Sequence, residues 1–80
     1  MTKLEKYRSA FKESLSINDK DVNEKLEYNG IPEWDSIGHM TLISELENVF
    51  KISIETDDIV DFSSYKRGQE ILKKYKVKLD

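Results

Sequence analysis

The sequence predicts a small all-α domain, and three observations carry that prediction. Apolar residues recur at helical spacing in three separate segments, within residues 4–15, 37–50 and 65–75. Residues that favour helix starts, Thr2, Asp35, Ser36, Thr56, Ser63 and Ser64, stand at or just before the segments that read as helical. The one stretch that alternates like a strand, Ile52 and Ile54, has no second strand to pair with. Eighty residues fit one domain, 1–80, with a limited core. There is no cysteine, so neither a disulfide nor a thiolate metal site can reinforce it.

Taken in order, Thr2 and Glu5 have the spacing of a capping box, in which each side chain reaches the other's backbone N–H. Leu4, Tyr7, Phe11 and Leu15 then mark one face, with Ala10 beside it, and predict a first helix over Lys3–Leu15. Residues 17–34 form a long connection whose apolar anchors, Ile17, Val22, Leu26, Tyr28, Ile31 and Trp34, predict that it lies packed over the helices with room for a helical turn. Gly30 and Pro32 signal a turn, and Asp35 with Ser36 can start a second helix over Ser36–Phe50. Its apolar stripe reads Ile37, Met40, Ile43, Leu46, Val49 and Phe50, widened by Leu42. Thr56 is the expected cap of a short third helix through Asp61, with acids at its favourable end. Phe62 is expected to plug the core. Ser63 or Ser64 caps a fourth helix with the stripe Tyr65, Ile71, Leu72 and Tyr75, beyond which Val77 and Leu79 either keep packing or fray.

Net charge is −3, but it is unevenly spread. Between residues 33 and 61 eight acids face Lys51 alone, about −7, which leaves about +4 on the two ends. An acidic centre argues against nucleic acid, which asks for a basic stripe. The lysines at 73, 74, 76 and 78 read as a solvated tail. No apolar run approaches membrane-spanning length, and the first residues are too charged for a signal peptide, so a cytoplasmic protein without a membrane span is the expectation.

The stretch Trp34-Asp35-Ser36-Ile37-Gly38-His39-Met40, continuing through Leu42, Ile43, Leu46, Glu47 and Phe50, resembles the phosphopantetheine-attachment segment of acyl and peptidyl carrier proteins. That family's core is Asp-Ser-Leu followed by a helix with apolar residues at fixed offsets, a Leu-Glu pair and a terminal Phe. Here Ile37 replaces the Leu. The tripeptide alone is uninformative; the offsets, the chain length and the mid-chain serine make the likeness specific, and it is strongest over residues 31–62. It implies a small four-helix bundle, three main helices plus a short third one with a long first loop, where periodicity by itself gives only an all-α domain. It implies a freestanding carrier and not an enzyme. A phosphopantetheinyl transferase would move 4'-phosphopantetheine from coenzyme A onto Ser36, flanked by Asp35 and Ile37. The arm would hold acyl groups as thioesters for loading and using enzymes with basic docking patches. Met40 and Glu47 would belong to the partner-recognition face, and the protein would act as a monomer. An aminoacyl or peptidyl carrier is the alternative within the family. Outside it stands a small helical interaction module whose serine is never modified.

Other readings of these residues are weaker. Ser36 also suits a plain helix cap. Asp35, Ser36 and His39 do not make a hydrolase triad, because neighbours on one helical turn cannot place an imidazole between nucleophile and carboxylate, and no nucleophile elbow is present. His39 is the only histidine, which speaks against a metal site, and it is expected to face solvent beside the attachment point. The run Asp19-Lys20-Asp21-Val22-Asn23 opens like a calcium loop, but Glu24 and Gly30 stand where that loop needs Gly and Glu. Met40 can serve the core or the docking face, and Glu45 reads as solvated. Trp34, two residues before Ser36, is expected to lose or gain solvent contact on attachment. Gly68 interrupts the fourth stripe, where carriers usually place a bulky aliphatic. Either Tyr65 or a residue of the first connection fills the gap, or the fourth helix begins later, or the missing side chain leaves a pocket beside the second helix. With a helical φ, Gly68→Ala is expected to stabilise by about 0.5–1 kcal/mol.

Overall fold

The computed structural model describes residues 2–79. Helix α1 spans Lys3–Leu15, α2 Ser36–Phe50, α3 Thr56–Asp61 and α4 Tyr65–Lys74, with a single 3₁₀ turn at Asp19–Asp21. Among the described residues there is no strand, only an isolated antiparallel bridge between Glu27 and Ser64. The predicted bounds of α1 and α2 agree with the structure, and each N-terminus carries a side-chain cap. Thr2 and Glu5 form the reciprocal cap, at 3.0 and 3.1 Å. Both helices stop at a residue in the left-handed region, Ser16 and Lys51, whose N–H turns back to Lys12 and Glu47 carbonyls.

One connected core joins the helices and the first connection. Phe11 is its hub, with Tyr7, Trp34 and Tyr65 rings at 5.0–5.4 Å from its centroid. The Tyr7 hydroxyl, in the interior, donates to the Tyr65 carbonyl at 2.6 Å. Burial, with Tyr65 beside it, pushes the Tyr7 phenol well above its usual range. Val22, Leu26 and Trp34 anchor the long connection as predicted, and Val77 keeps packing past α4. Asp19 is engaged by Arg8 at 3.1 Å and Lys12 at 3.5 Å, so this acid of the calcium-like run serves to fasten the 3₁₀ turn to α1.

Three details differ from expectation. Thr56 does not cap α3; Glu55 holds that position, without a side-chain cap bond. A six-residue helix cannot stand alone, and α3 is instead fastened from α4. Asp58 accepts from Lys74 Nζ and Tyr75 Oη, both at 2.6 Å, and the Glu55 N–H donates to the same Tyr75 hydroxyl. Second, Ile37 is not in the core, and Met40, left open between core and outer face by the sequence, lies outside it as well. The inner face of α2 is Gly38, Leu42, Ile43 and Leu46, while Ile37 is 79% and Met40 53% exposed. Third, Gly68 leaves no pocket. Its φ is negative, and a Cβ there would overlap Phe62 Cζ and the Tyr7 hydroxyl, with Phe62 Cε1 at 2.6 Å. The gap is filled, though by the plug Phe62 and by Tyr7 and not by Tyr65 or the first connection, and the expected gain from Gly68→Ala reverses sign.

Candidate functional site

The first turn of α2 is built by the chain folding back on itself. Asp35 is extended; its Oδ1 accepts from the Gly38 N–H at 2.8 Å and its carbonyl from the His39 N–H at 2.8 Å. Gly38 is buried because the preceding loop lies directly on it. A Cβ there would overlap the Glu33 carbonyl and come to 3.0 Å from Leu15 Cδ2. The cap is therefore Asp35, and Ser36 is the first helical residue. Its role as the cap itself is excluded, and its hydroxyl is exposed. Among the described residues no acceptor takes the N–H groups of Ser36 or Ile37, which remain open donors at the positive end of the helix.

His39 points away from this opening. Indole N–H can only donate, so Trp34 Nε1 at 2.9 Å fixes His39 Nδ1 as acceptor. Nε2 then carries the proton and donates to the Ile59 carbonyl at 2.8 Å. The imidazole, half-buried, lies stacked on Trp34 at 6.0 Å and ties α2 to α3. The expectation of a solvent-facing His39 is overturned: the ring has a neutral partner on each side, and nothing in the local sequence signals either one. With both nitrogens engaged, the imidazole is not available as a base for Ser36. Trp34 is fully buried among Phe11, Phe62, Tyr28 and His39, so an arm on Ser36 would not change its solvent contact directly.

Around the serine, the outer face of α2 presents Ile37, Met40, Thr41 and Ser44, and Val60 of α3 is 78% exposed. Glu47 is half-buried and supports the backbone that follows α2. Its carboxylate accepts from the Ile54 N–H at 2.8 Å, while its carbonyl takes the Lys51 and Ile52 N–H groups. It thus shapes the exit of α2, leaving one carboxylate oxygen for any partner. Glu45, expected to be solvated, is half-buried. A surface groove of about 1050 Å³ runs between Leu4, α4 and Val77 to Leu79, and no α2 residue lines it.

Sequence reasoning misses the part played by Tyr28. Its apolar spacing marks a packing anchor, yet its hydroxyl lies 3.0 Å from Ser36 Oγ. No periodicity links positions eight apart across a turn, so only the folded loop reveals the pair. No family model, curated protein or solved structure matches the chain.

Proposed function

We propose that the protein is an acyl carrier, loaded with 4'-phosphopantetheine on Ser36 by a phosphopantetheinyl transferase. The observation that carries this reading is the exposed Ser36 hydroxyl at the first position of α2, with the Ser36 and Ile37 N–H groups open beside it. A phosphodiester there would be favoured by those donors and by the helix dipole, whose benefit is about 0.3–1 kcal/mol at an exposed end. Asp35 holds the turn, and Ile37 follows the serine on the outer face. Ile37 and Met40, spared from core duty, supply apolar contact for transferase and acyl-handling enzymes, and the surrounding acids attract basic partners. The arm would supply the thiol that this cysteine-free chain lacks. An aminoacyl or peptidyl carrier would use the same serine, differing in cargo.

The exposed Ile37, Met40 and Val60 also suit a second reading, a helical interaction module with an unmodified serine. Incubation with coenzyme A and a broad-specificity transferase separates the two. The carrier gains one phosphopantetheine per chain by mass, and Ser36→Ala gains none while retaining its helical circular dichroism. Absence of modification in the wild-type chain, or modification at Ser44 or Ser64, defeats the carrier assignment.

A further inference from the structure

The Tyr28 hydroxyl is not a loose surface group that happens to lie near Ser36. Its backbone is clamped from the α4 side: the Tyr28 N–H donates to Ser63 O and the Tyr65 N–H to Leu26 O, both at 2.9 Å, on either side of the Glu27–Ser64 bridge. The following residue, Asn29, sits at φ 64° and its N–H closes the loop on the Trp34 carbonyl at 2.9 Å. The phenol ring then packs edge-on against His39 at 5.3 Å and Trp34 at 6.4 Å. Backbone and ring are therefore fixed by two different parts of the fold, and the hydroxyl is delivered to Ser36 Oγ at 3.0 Å.

The chemistry of attachment makes this pair directional. Before transfer, either hydroxyl can donate to the other. During transfer Ser36 Oγ bonds to the phosphorus that carries the pantetheine, the pyrophosphate P–O bond of coenzyme A breaks, and adenosine 3',5'-bisphosphate departs. The serine proton leaves to a base on the transferase. The serine oxygen then has no hydrogen, so the contact survives only with Tyr28 donating, either to the ester oxygen or to an anionic oxygen of the same phosphodiester. A bond to a charged oxygen is shorter and about twice as strong as a neutral one. We infer that Tyr28 is a positioning residue for the arm, donating to the phosphodiester on Ser36 and fixing the direction in which the arm leaves α2. This inference rests on the carrier reading above.

Tyr28→Phe removes the donor and keeps the ring. Wild type and variant are converted to the holo form, with complete conversion checked by mass, and compared by phosphorus NMR. The expected result is a shifted and narrower phosphodiester resonance in Tyr28→Phe, at an unchanged denaturation midpoint. In wild-type protein carrying ¹³C-labelled tyrosine, attachment should shift the Tyr28 Cζ resonance and leave Tyr7 and Tyr65 in place. That measurement does not depend on the variant folding. Identical phosphorus spectra of the two holo proteins, or a Tyr28 Cζ resonance that does not respond to attachment, overturns the inference while leaving the carrier reading intact. A wild-type chain that accepts no phosphopantetheine overturns both.

Discussion

The starts of α2 and α4 use the same local device to opposite ends. Each has a side-chain cap, Asp35 to the Gly38 N–H at 2.8 Å and Ser64 to the Arg67 N–H at 2.9 Å, and each has a buried glycine in or just after its first turn. At α4 the space above Gly68 is filled by aromatic side chains, Phe62 and Tyr7, and the helix start is drawn into the core. At α2 the space above Gly38 is filled by backbone, the Glu33 carbonyl. That tight return turns the inner face inward and leaves Ser36, Ile37 and Met40 outside. One glycine serves packing. The other lets the loop lie close enough to present a serine.

The largest expected effect tests the α4 side. Gly68→Ala should destabilise by about 1–3 kcal/mol in urea denaturation despite alanine's better helix propensity, and Gly68→Ile by more, since a filled core resists added volume. Gly38→Ala should also lose stability, because its obstacle is a carbonyl that no rotamer change can move. A stabilised alanine variant at either position would break the parallel.

The caps come next. Asp35→Ala and Ser64→Ala should each cost about 1 kcal/mol by the same measurement. On the proposed carrier function they should part in a second readout: Asp35→Ala would slow phosphopantetheine attachment at Ser36, while Ser64→Ala would leave the α2 turn in place and the attachment rate nearly unchanged.

A smaller effect concerns the fastening of α3 to α4. The Asp58 carboxyl is held below its usual value, first by the hydrogen bond from Lys74 and then by that from Tyr75. Its contribution is full above the unfolded-state pKa of about 3.9 and fades as pH falls through the lower folded value. Between about pH 5 and pH 2 the wild type should therefore lose more stability than Asp58→Asn, which has no such carboxylate to protonate. Equal losses in the two proteins would show that the pair contributes nothing measurable. Lys74 stands largely in solvent, so screening keeps the difference modest.

The smallest effect lies on the outer face. Ile37→Ser and Met40→Ser should change stability by no more than about 0.5 kcal/mol, yet each should raise the KM for transferase if that face docks partners. A large stability loss would place these side chains back in the core.

Short-range chemistry is legible in the chain before it folds. Thr2 with Glu5 set the start of α1, Asp35 the start of α2 and Ser64 the start of α4, because a cap is a bond between residues two or three apart. The apolar spacing likewise marks Phe11, Leu42, Ile43, Leu46, Ile71 and Leu72 as interior. The same spacing misassigns Ile37 and leaves Met40 undecided between core and surface, since a stripe shows which residues are apolar but not where the neighbouring elements stop covering them. His39, Gly68 and Tyr28 take their roles only in three dimensions. Their partners are Ile59, Phe62 with Tyr7, and Ser36, brought together by the return of the long connection and by the packing of α3 and α4. A hydrogen bond or steric contact between segments leaves no periodic trace in either one, so its meaning exists only once the chain has closed.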